Sequence, residues 1–200
     1  MSQHYYSKNP QTKSNPREWT YTLRGEEFHF QTDAGVFSKG EVDFGSQLLI
    51  EAFRDSDLKG PILDVGCGYG PIGMAIAKTI PHKEVHMVDV NTRAIELAKK
   101  NTEKNGVANV RIYESDGLAA VEAEGFSAIL TNPPIRAGKD TIFRFYEEAF
   151  EKLESGGSLW VVIQKKQGAP STQEKLEELF GNCRQADKKK GYFIFEARKV

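Results

Sequence analysis

"ILDVGCGYGPIG" (residues 62–73) joins an apolar strand-like run to alternating glycines and a proline placed to begin a helix. Glycines spaced this way let the backbone turn through positive φ and come close to a ligand. Strand, glycine loop and helix in that order open many doubly wound α/β folds. Two chemistries compete for the loop. Gly68-x-Gly70-x-x-Gly73, followed by Asp89, is literally the dinucleotide fingerprint. A pyrophosphate, however, needs backbone N–H groups at a helix N-terminus. With Gly66 as the first glycine, the third position falls on Pro71, which has no N–H. With Gly68 as the first, the strand must run through Gly66 and Cys67, although its apolar residues stop at Val65.

The other register, Asp64-x-Gly66-x-Gly68-x-Gly70, asks only for close backbone approach, and it suits S-adenosylmethionine, which carries no phosphate. Asp64, at the strand end, is placed to hold the loop and the cationic methionine end of that ligand. Asp89, with Val90 beside it, ends the next strand and can take both ribose hydroxyls. Asp116, followed by Gly117, ends the third and can accept from the adenine amine. Cys67 is read as a small neutral filler of the loop.

Outward from the loop the pattern is regular. Strands are predicted at 61–65, 84–90, 109–115, 126–132, 158–164 and 191–198, alternating with helices at 72–80, 92–106, 141–155 and 171–181. Strands separated by helices of this length predict a parallel sheet covered on both faces, with ligands at the carboxyl ends of its strands. Upstream, residues 19–23 and 28–32 flank a turn and predict a hairpin. A helix over 46–57 with Ser46 as its N-cap follows a glycine-punctuated loop. Residues 1–17 are polar and expected to fray, leaving one domain over 18–200 whose N-terminal extension reaches about residue 57.

Composition sets the outer bounds. Hydrophobic residues at 39% and charged residues at 28% describe an ordinary globular protein, and 27 basic against 28 acidic side chains predict no globally driven polyanion binding. Cys67 and Cys183 form no metal or redox spacing, so no metal site is expected. The opening residues lack an apolar signal-peptide core and no apolar run approaches membrane-spanning length, so a cytosolic protein is expected.

After the fourth strand of the alternating series comes Asn132-Pro133-Pro134-Ile135. Two prolines there end the ladder and fix a rigid turn. Beside a cofactor cleft, the Asn132 side-chain oxygen and the Pro133 carbonyl can both accept from an exocyclic NH₂. They would orient its nitrogen lone pair toward a sulfonium methyl. The same turn also serves as a plain strand terminator.

At these residues the chain resembles a known family. The motifs DVGCGYG, VDVN, ESDG and NPPI look like those of class I methyltransferases acting on amino groups. With GVFSKGEVDFGSQLL upstream and NPPIRAGK downstream, it resembles the small-domain family of ribosomal RNA guanine-N2 methyltransferases (RsmC-like), and the single-domain YbxB-type members most closely. The resemblance implies a Rossmann-like, seven-stranded, mostly parallel sheet of order 3-2-1-4-5-7-6, the seventh strand being antiparallel and supplied by residues 191–198. By position it implies a cofactor site of Phe37, Ser38, Gly66, Gly68, Gly70, Asp89 and Asp116, with Gly45 and Ser46 nearby and Asn132 on the target amine. Two departures stand out: Ile135 occupies a place where relatives carry an aromatic residue, with Arg136 next, and the extra N-terminal domain of bacterial RsmC proteins is lacking.

Arg136, Lys139, Lys165 and Lys166 follow strand ends, with Lys39 as a possible neighbour, and suit RNA phosphates as well as a solvated rim. With Ile135, they are the candidate substrate contacts. Lys188-Lys189-Lys190 falls in a turn of unassigned location. Adenine-N6 methylation, protein glutamine-N5 methylation and a catalytically silent binding module are the rival readings.

Overall fold

Strand and helix alternate from residue 62 onward, and the computed structural model, which describes residues 8, 12–37 and 40–200, shows what that alternation builds. The chain runs β1 (Arg17–Leu23), β2 (Glu26–Thr32), α1 (Phe44–Ala52), β3 (Ile62–Val65), α2 (Pro71–Thr79), β4 (Val85–Asp89), α3 (Thr92–Lys104), β5 (Val110–Glu114), β6 (Phe126–Thr131), α4 (Lys139–Lys152), β7 (Leu153–Gln164), α5 (Ala169–Phe180), β8 (Arg184–Lys189) and β9 (Tyr192–Arg198). One sheet of order β5-β4-β3-β6-β7-β9-β8 forms. With the two hairpin strands set aside this is the expected 3-2-1-4-5-7-6, and β9 runs antiparallel to both β7 and β8. Every residue of β3 and β6 is buried, as central strands covered on both faces require. One apolar core packs α1, α2 and α3 on one face of the sheet; a second packs α4 and α5 on the other. Among the described residues no helix is long and apolar enough to cross a membrane.

Several boundaries differ from expectation. Asp43, rather than Ser46, caps α1, its Oδ1 accepting from the Ser46 N–H at 3.0 Å. That helix ends at Ala52, short of 57. Helix α4 stops at Lys152, short of 155, and β7 starts at Leu153 and runs through Gly156 and Gly157. Strand β8 was not announced at all. Its RQADKK sequence is almost wholly exposed at the sheet edge, where both faces meet water and no apolar alternation is needed.

The β1–β2 hairpin is tied to the domain by amides rather than by sheet pairing. Asn101, fully buried on α3, accepts from the Gln31 N–H and donates to the Gln31 carbonyl, both at 2.8 Å, and donates again to the Tyr69 carbonyl at 2.8 Å. One turn on, Asn105 repeats the pattern with His29. Residues four apart share a helix face, so two asparagines stand in for a missing strand along β2. Above them the Tyr69 ring meets Trp19 and Phe30 edge-on, at 5.6 and 5.5 Å between centroids.

Asn101→Ala removes the partners of one buried N–H and two carbonyls. Each orphaned group costs roughly 1–3 kcal/mol, and partial access of water makes a total near 3 kcal/mol the expected loss. At about 2–4 °C per kcal/mol for a chain of this size, the melting temperature should fall by roughly 6–12 °C. Calorimetry checks this, and a loss below about 1 °C would mean that the hairpin is held by its aromatic packing alone.

Candidate active site

The carboxyl ends of β3, β4, β6 and β7 open onto a cleft of about 290 Å³. Its wall begins with the glycine loop. Gly66, Gly68 and Gly70 all have positive φ, at 76, 56 and 106°. A Cβ at Gly66 or Gly68 would meet nothing within 4 Å, so glycine is required there by backbone conformation and not by crowding. The turn is clamped from behind: the Gly66 and Cys67 N–H groups both donate to the Val88 carbonyl at 2.9 Å, and the Gly68 N–H donates to Asp89 Oδ2 at 2.9 Å.

Two carboxylates lie at this loop, with opposite exposures to the cleft. Asp89 lines it, and its other oxygen accepts from the Asn91 N–H at 2.9 Å. Burial raises its pKa above the usual carboxylate value, while the N–H groups of Asn91, Gly68 and Val90 oppose the rise. Asp64 is only 1% exposed and stands behind the wall, where Oδ2 accepts from the Gly73 N–H at 2.9 Å. Its Oδ1 has no hydrogen-bond partner among the described residues. Burial pushes the Asp64 carboxyl up to about 7, with the nearby Asp89 charge adding to the effect.

This environment answers the question posed by the glycine fingerprint. Gly73 does pack closely, since a Cβ there would come within 2.5 Å of Met87 Cγ. Yet the Gly68 N–H that a pyrophosphate would use is taken by Asp89, the helix opens on Pro71, and the loop is backed by two acids. With Asp89 at the cleft wall and that N–H already taken, the loop is poorly suited to a pyrophosphate.

Across the cleft, Asn132-Pro133-Pro134 leaves β6 and enters a short 3-10 turn at Ile135–Ala137. Asn132 Nδ2 donates to Asp43 Oδ1 at 3.2 Å and to Ser46 Oγ at 3.1 Å. Both amide protons are thereby committed, and the carbonyl Oδ1 accepts from nothing among the described residues.

The expected residues divide as follows. Phe37, Gly66, Cys67, Gly68, Asp89, Val90, Gly117, Asn132, Pro133, Pro134, Ile135 and Arg136 line the cleft, as does Ser46. Ser38 and Lys39 fall outside the described residues. Asp64 and Gly70 lie behind the wall. Asp116 does not line the cleft: it is exposed, and its Oδ1 accepts from Arg144 Nη2 on α4 at 2.8 Å. That pairing turns the acid outward and leaves Ser115 and Gly117 as the cleft wall at this strand end. Lys139 and Lys165 are exposed and also stand off the cleft, Lys139 over the Phe143 ring at 5.0 Å. Cys67 is buried with its thiol pKa pushed well up, which keeps it protonated and inert.

Sequence reasoning did not find Asp43, Tyr69, Phe145, Gln164, Gln167 or Tyr192, all of which line the cleft. Only Asp43 had a local signal, as an acid three residues before a serine at a helix start.

The buried Asp64 gives a pH signature. An exposed aspartate releases its proton near 3.8, whereas Asp64 in the fold keeps it to about 7. The folded state therefore binds more protons in that window, and this group's contribution to stability falls as pH rises from about 4 to about 7. Asp64→Asn keeps an acceptor for Gly73 and removes the fall. Urea unfolding at intervals across the window should show the variant gaining on the wild type as pH rises; parallel profiles would mean that the carboxyl is ionised throughout.

Comparison with known proteins places this architecture. The methyltransferase small domain model matches residues 27–196. The chain is 55% identical to the uncharacterized protein YbxB of Bacillus subtilis over 201 aligned residues, 100% of both chains. It is 33% identical over 187 residues to ribosomal RNA small subunit methyltransferase C of Vibrio cholerae, covering 92% of this chain and 53% of the relative. Among solved structures, the T. thermophilus 16S rRNA N2 G1207 methyltransferase (RsmC), in complex with AdoMet and guanosine, superposes with a TM-score of 0.83 at 28% identity, over 96% of this chain and 52% of that one. The chain thus spans the full length of YbxB and about half the length of the methyltransferase C relatives. It belongs to the methyltransferase small domain family and is an S-adenosylmethionine-dependent methyltransferase.

Proposed function

We propose that the chain methylates an exocyclic amine of RNA, with guanine N2 of ribosomal RNA as the target. The observation that carries the reading is the fixed Asn132 amide. With Nδ2 held by Asp43 and Ser46, the group next to the reaction presents an oxygen acceptor, which fits an NH₂ donor and not a carbonyl. The choice of guanine in ribosomal RNA is supported by the named activities of the methyltransferase C relatives and of the T. thermophilus enzyme.

The residues present fit S-adenosylmethionine. Gly66 and Gly68 leave open space beside their backbone, and Asp89, the one of the two loop acids that lines the cleft, suits a cationic ligand and has lone pairs for ribose hydroxyls. When bound, this cofactor supplies an electrophilic methyl on a sulfonium, already a good leaving group. The protein's own task is positioning. Asn132 Oδ1 and the Pro133 carbonyl accept from the target NH₂ and aim its lone pair along the line of attack. Alignment of this kind is worth roughly 7–11 kcal/mol when complete. As the target nitrogen gained the methyl group, the same two acceptors would strengthen their hold on its increasingly acidic N–H protons, one of which would pass to solvent. Ile135 and Arg136 line the cleft beyond the prolines, where the plane of the base would lie.

Two variants separate binding from chemistry. Asp89→Ala should weaken S-adenosylmethionine binding in calorimetry by roughly 2–4 kcal/mol, the worth of two charge-assisted hydrogen bonds. Asn132→Ala should bind the cofactor nearly as the wild type does, yet transfer methyl at least about a hundredfold more slowly, as when one preorganised polar group is lost. Mass spectrometry of ribosomal RNA from a deletion strain should show the loss of one N2-methylguanine. A missing N6-methyladenine or methylglutamine would keep the mechanism and overturn the substrate, while undiminished turnover by Asn132→Ala would reduce the Asn-Pro-Pro turn to a structural role.

A further inference from the structure

The lysine run at 188–190, which the sequence left unplaced, sits beside the mouth of the cleft. Because β9 runs antiparallel to β7, its first residue lies at the active-site edge: Tyr192 is paired with Gln164, the last residue of β7. The turn before it is pinned there, the Lys165 N–H donating to the Gly191 carbonyl at 2.9 Å. Tyr192 and Gln164 both line the cleft. The Tyr192 ring rests 5.5 Å from that of Phe44, at the start of α1 next to Asp43. A Cβ on Gly45 would come within 2.9 Å of Tyr192 Cε1, so glycine at that position admits the ring.

The lysines are held on aromatic faces. Lys190 Nζ lies 4.8 Å above the centre of the Phe44 ring, and Lys188 Nζ lies 4.7 Å above that of Phe193. Lys165 and Lys166 continue the patch from the 3-10 turn that follows β7. All five are exposed, and among the described residues none has a carboxylate partner. Other lysines are mixed in this respect: Lys78, Lys83, Lys104 and Lys175 each stand within 4.0 Å of an acid, while among the described residues Lys59, Lys99 and Lys100 stand singly or in a pair without one. What distinguishes the patch is five such lysines gathered at one end of the sheet. Asp187, the acid nearest in sequence, accepts from the backbone N–H of Lys188. The patch is therefore a local excess of unneutralised positive charge in a protein whose formal net charge is −1.

Lysines on an edge strand also discourage sheet-to-sheet aggregation. That role asks for charge spread along the open edge. Here the charge gathers at the cleft end of β8, crosses the turn to Lys190, and resumes at Lys165 and Lys166, which lie on no edge strand.

We propose that Lys188, Lys189 and Lys190, with Lys165 and Lys166, form a ledge that grips the phosphates flanking the target nucleotide. The proposal rests on the RNA reading above. A base must leave its stack to enter a closed pocket, which splays the neighbouring backbone across the mouth. A ledge of cations along one rim would hold that backbone without reading its sequence. It also offers a way to retain RNA using this domain's own surface.

The test compares the wild type with Lys188→Gln/Lys189→Gln/Lys190→Gln, with Lys165→Gln/Lys166→Gln, and with a Lys188→Arg/Lys189→Arg/Lys190→Arg control. Binding of protein-free 16S ribosomal RNA and of a labelled single-stranded oligonucleotide is followed against salt, alongside methyl incorporation and S-adenosylmethionine calorimetry. The triple Gln variant should bind RNA at least tenfold more weakly, with a salt slope smaller by about 2, near 0.7 per lost phosphate contact. Its KM for RNA should rise while cofactor affinity holds. The Arg control should keep the wild-type slope, which separates lost charge from disturbed folding. If the wild type methylates RNA and the Gln variants match its affinity and slope, the ledge is overturned and the lysines merely guard the edge. If the wild type neither binds nor methylates RNA, the functional reading itself fails, and the ledge with it.

Discussion

At the end of β3 the chain must leave a fully buried strand without stranding a polar backbone group, and the active-site edge is built around that requirement. The Val65 carbonyl is met by Thr131 Oγ1 at 2.9 Å, from the end of β6. The next two N–H groups, of Gly66 and Cys67, converge on the Val88 carbonyl from β4, and the third, of Gly68, goes to Asp89. One short turn thus borrows partners from both neighbouring strands at the point where the sheet order reverses. An unmade bond there would cost roughly 1–3 kcal/mol. The bonds also hold the ends of three strands in fixed relation, so that Asp89 and Asn132 face a common cleft.

The legible part of the structure was the part fixed by local periodicity. Buried central strands such as β3 and β6 announce themselves through unbroken apolar runs, and the glycine loop through its positive-φ requirement. Strand β8 was illegible because an exposed edge needs no pattern. The same logic separates the acids. Asp89 takes part of its bonding from sequence neighbours, Asn91 and Val90, and the rest from Gly68 in the glycine loop. The pairing of Asp116 could not be read, because its partner, Arg144, arrives from α4, and nothing near residue 116 encodes that meeting. Ser46 was read as a helix cap by residue type; its hydroxyl instead serves Asn132, from a helix far away in the chain.

The N-terminal hairpin and α1 act as supports and not as appendages. The hairpin presses Trp19 and Phe30 on Tyr69 from outside the loop, and Asn101 draws the Tyr69 carbonyl from beneath. Helix α1 brings Asp43 and Ser46 to the Asn-Pro-Pro turn from the opposite side. Cofactor loop and target-amine turn are therefore braced by separate segments that both precede β3. The two braces are themselves joined, the Arg24 N–H of the hairpin turn donating to Glu51 Oε1 on α1 at 2.8 Å.

Under the proposed function, proline adds to the selectivity for amines. Pro133 and Pro134 have no N–H, so two successive backbone positions at this edge of the cleft present no donor; the Pro134 carbonyl is taken by the Ala137 N–H at 2.8 Å, which leaves the Pro133 carbonyl as the backbone acceptor. Asp43 and Ser46 accept from Asn132 Nδ2, so the amide of this turn shows the cleft its oxygen. The turn is thus an acceptor-only surface. A substrate that presented a carbonyl there would meet oxygen with oxygen, and one lacking the NH₂ would leave the acceptors unpaired. Sites built to bond a particular polar group reject analogues without it far more strongly than apolar pockets reject a missing methylene. On the proposed reading, the Pro133 carbonyl and the locked amide would therefore do more than hold the target: they would set the class of group that can react.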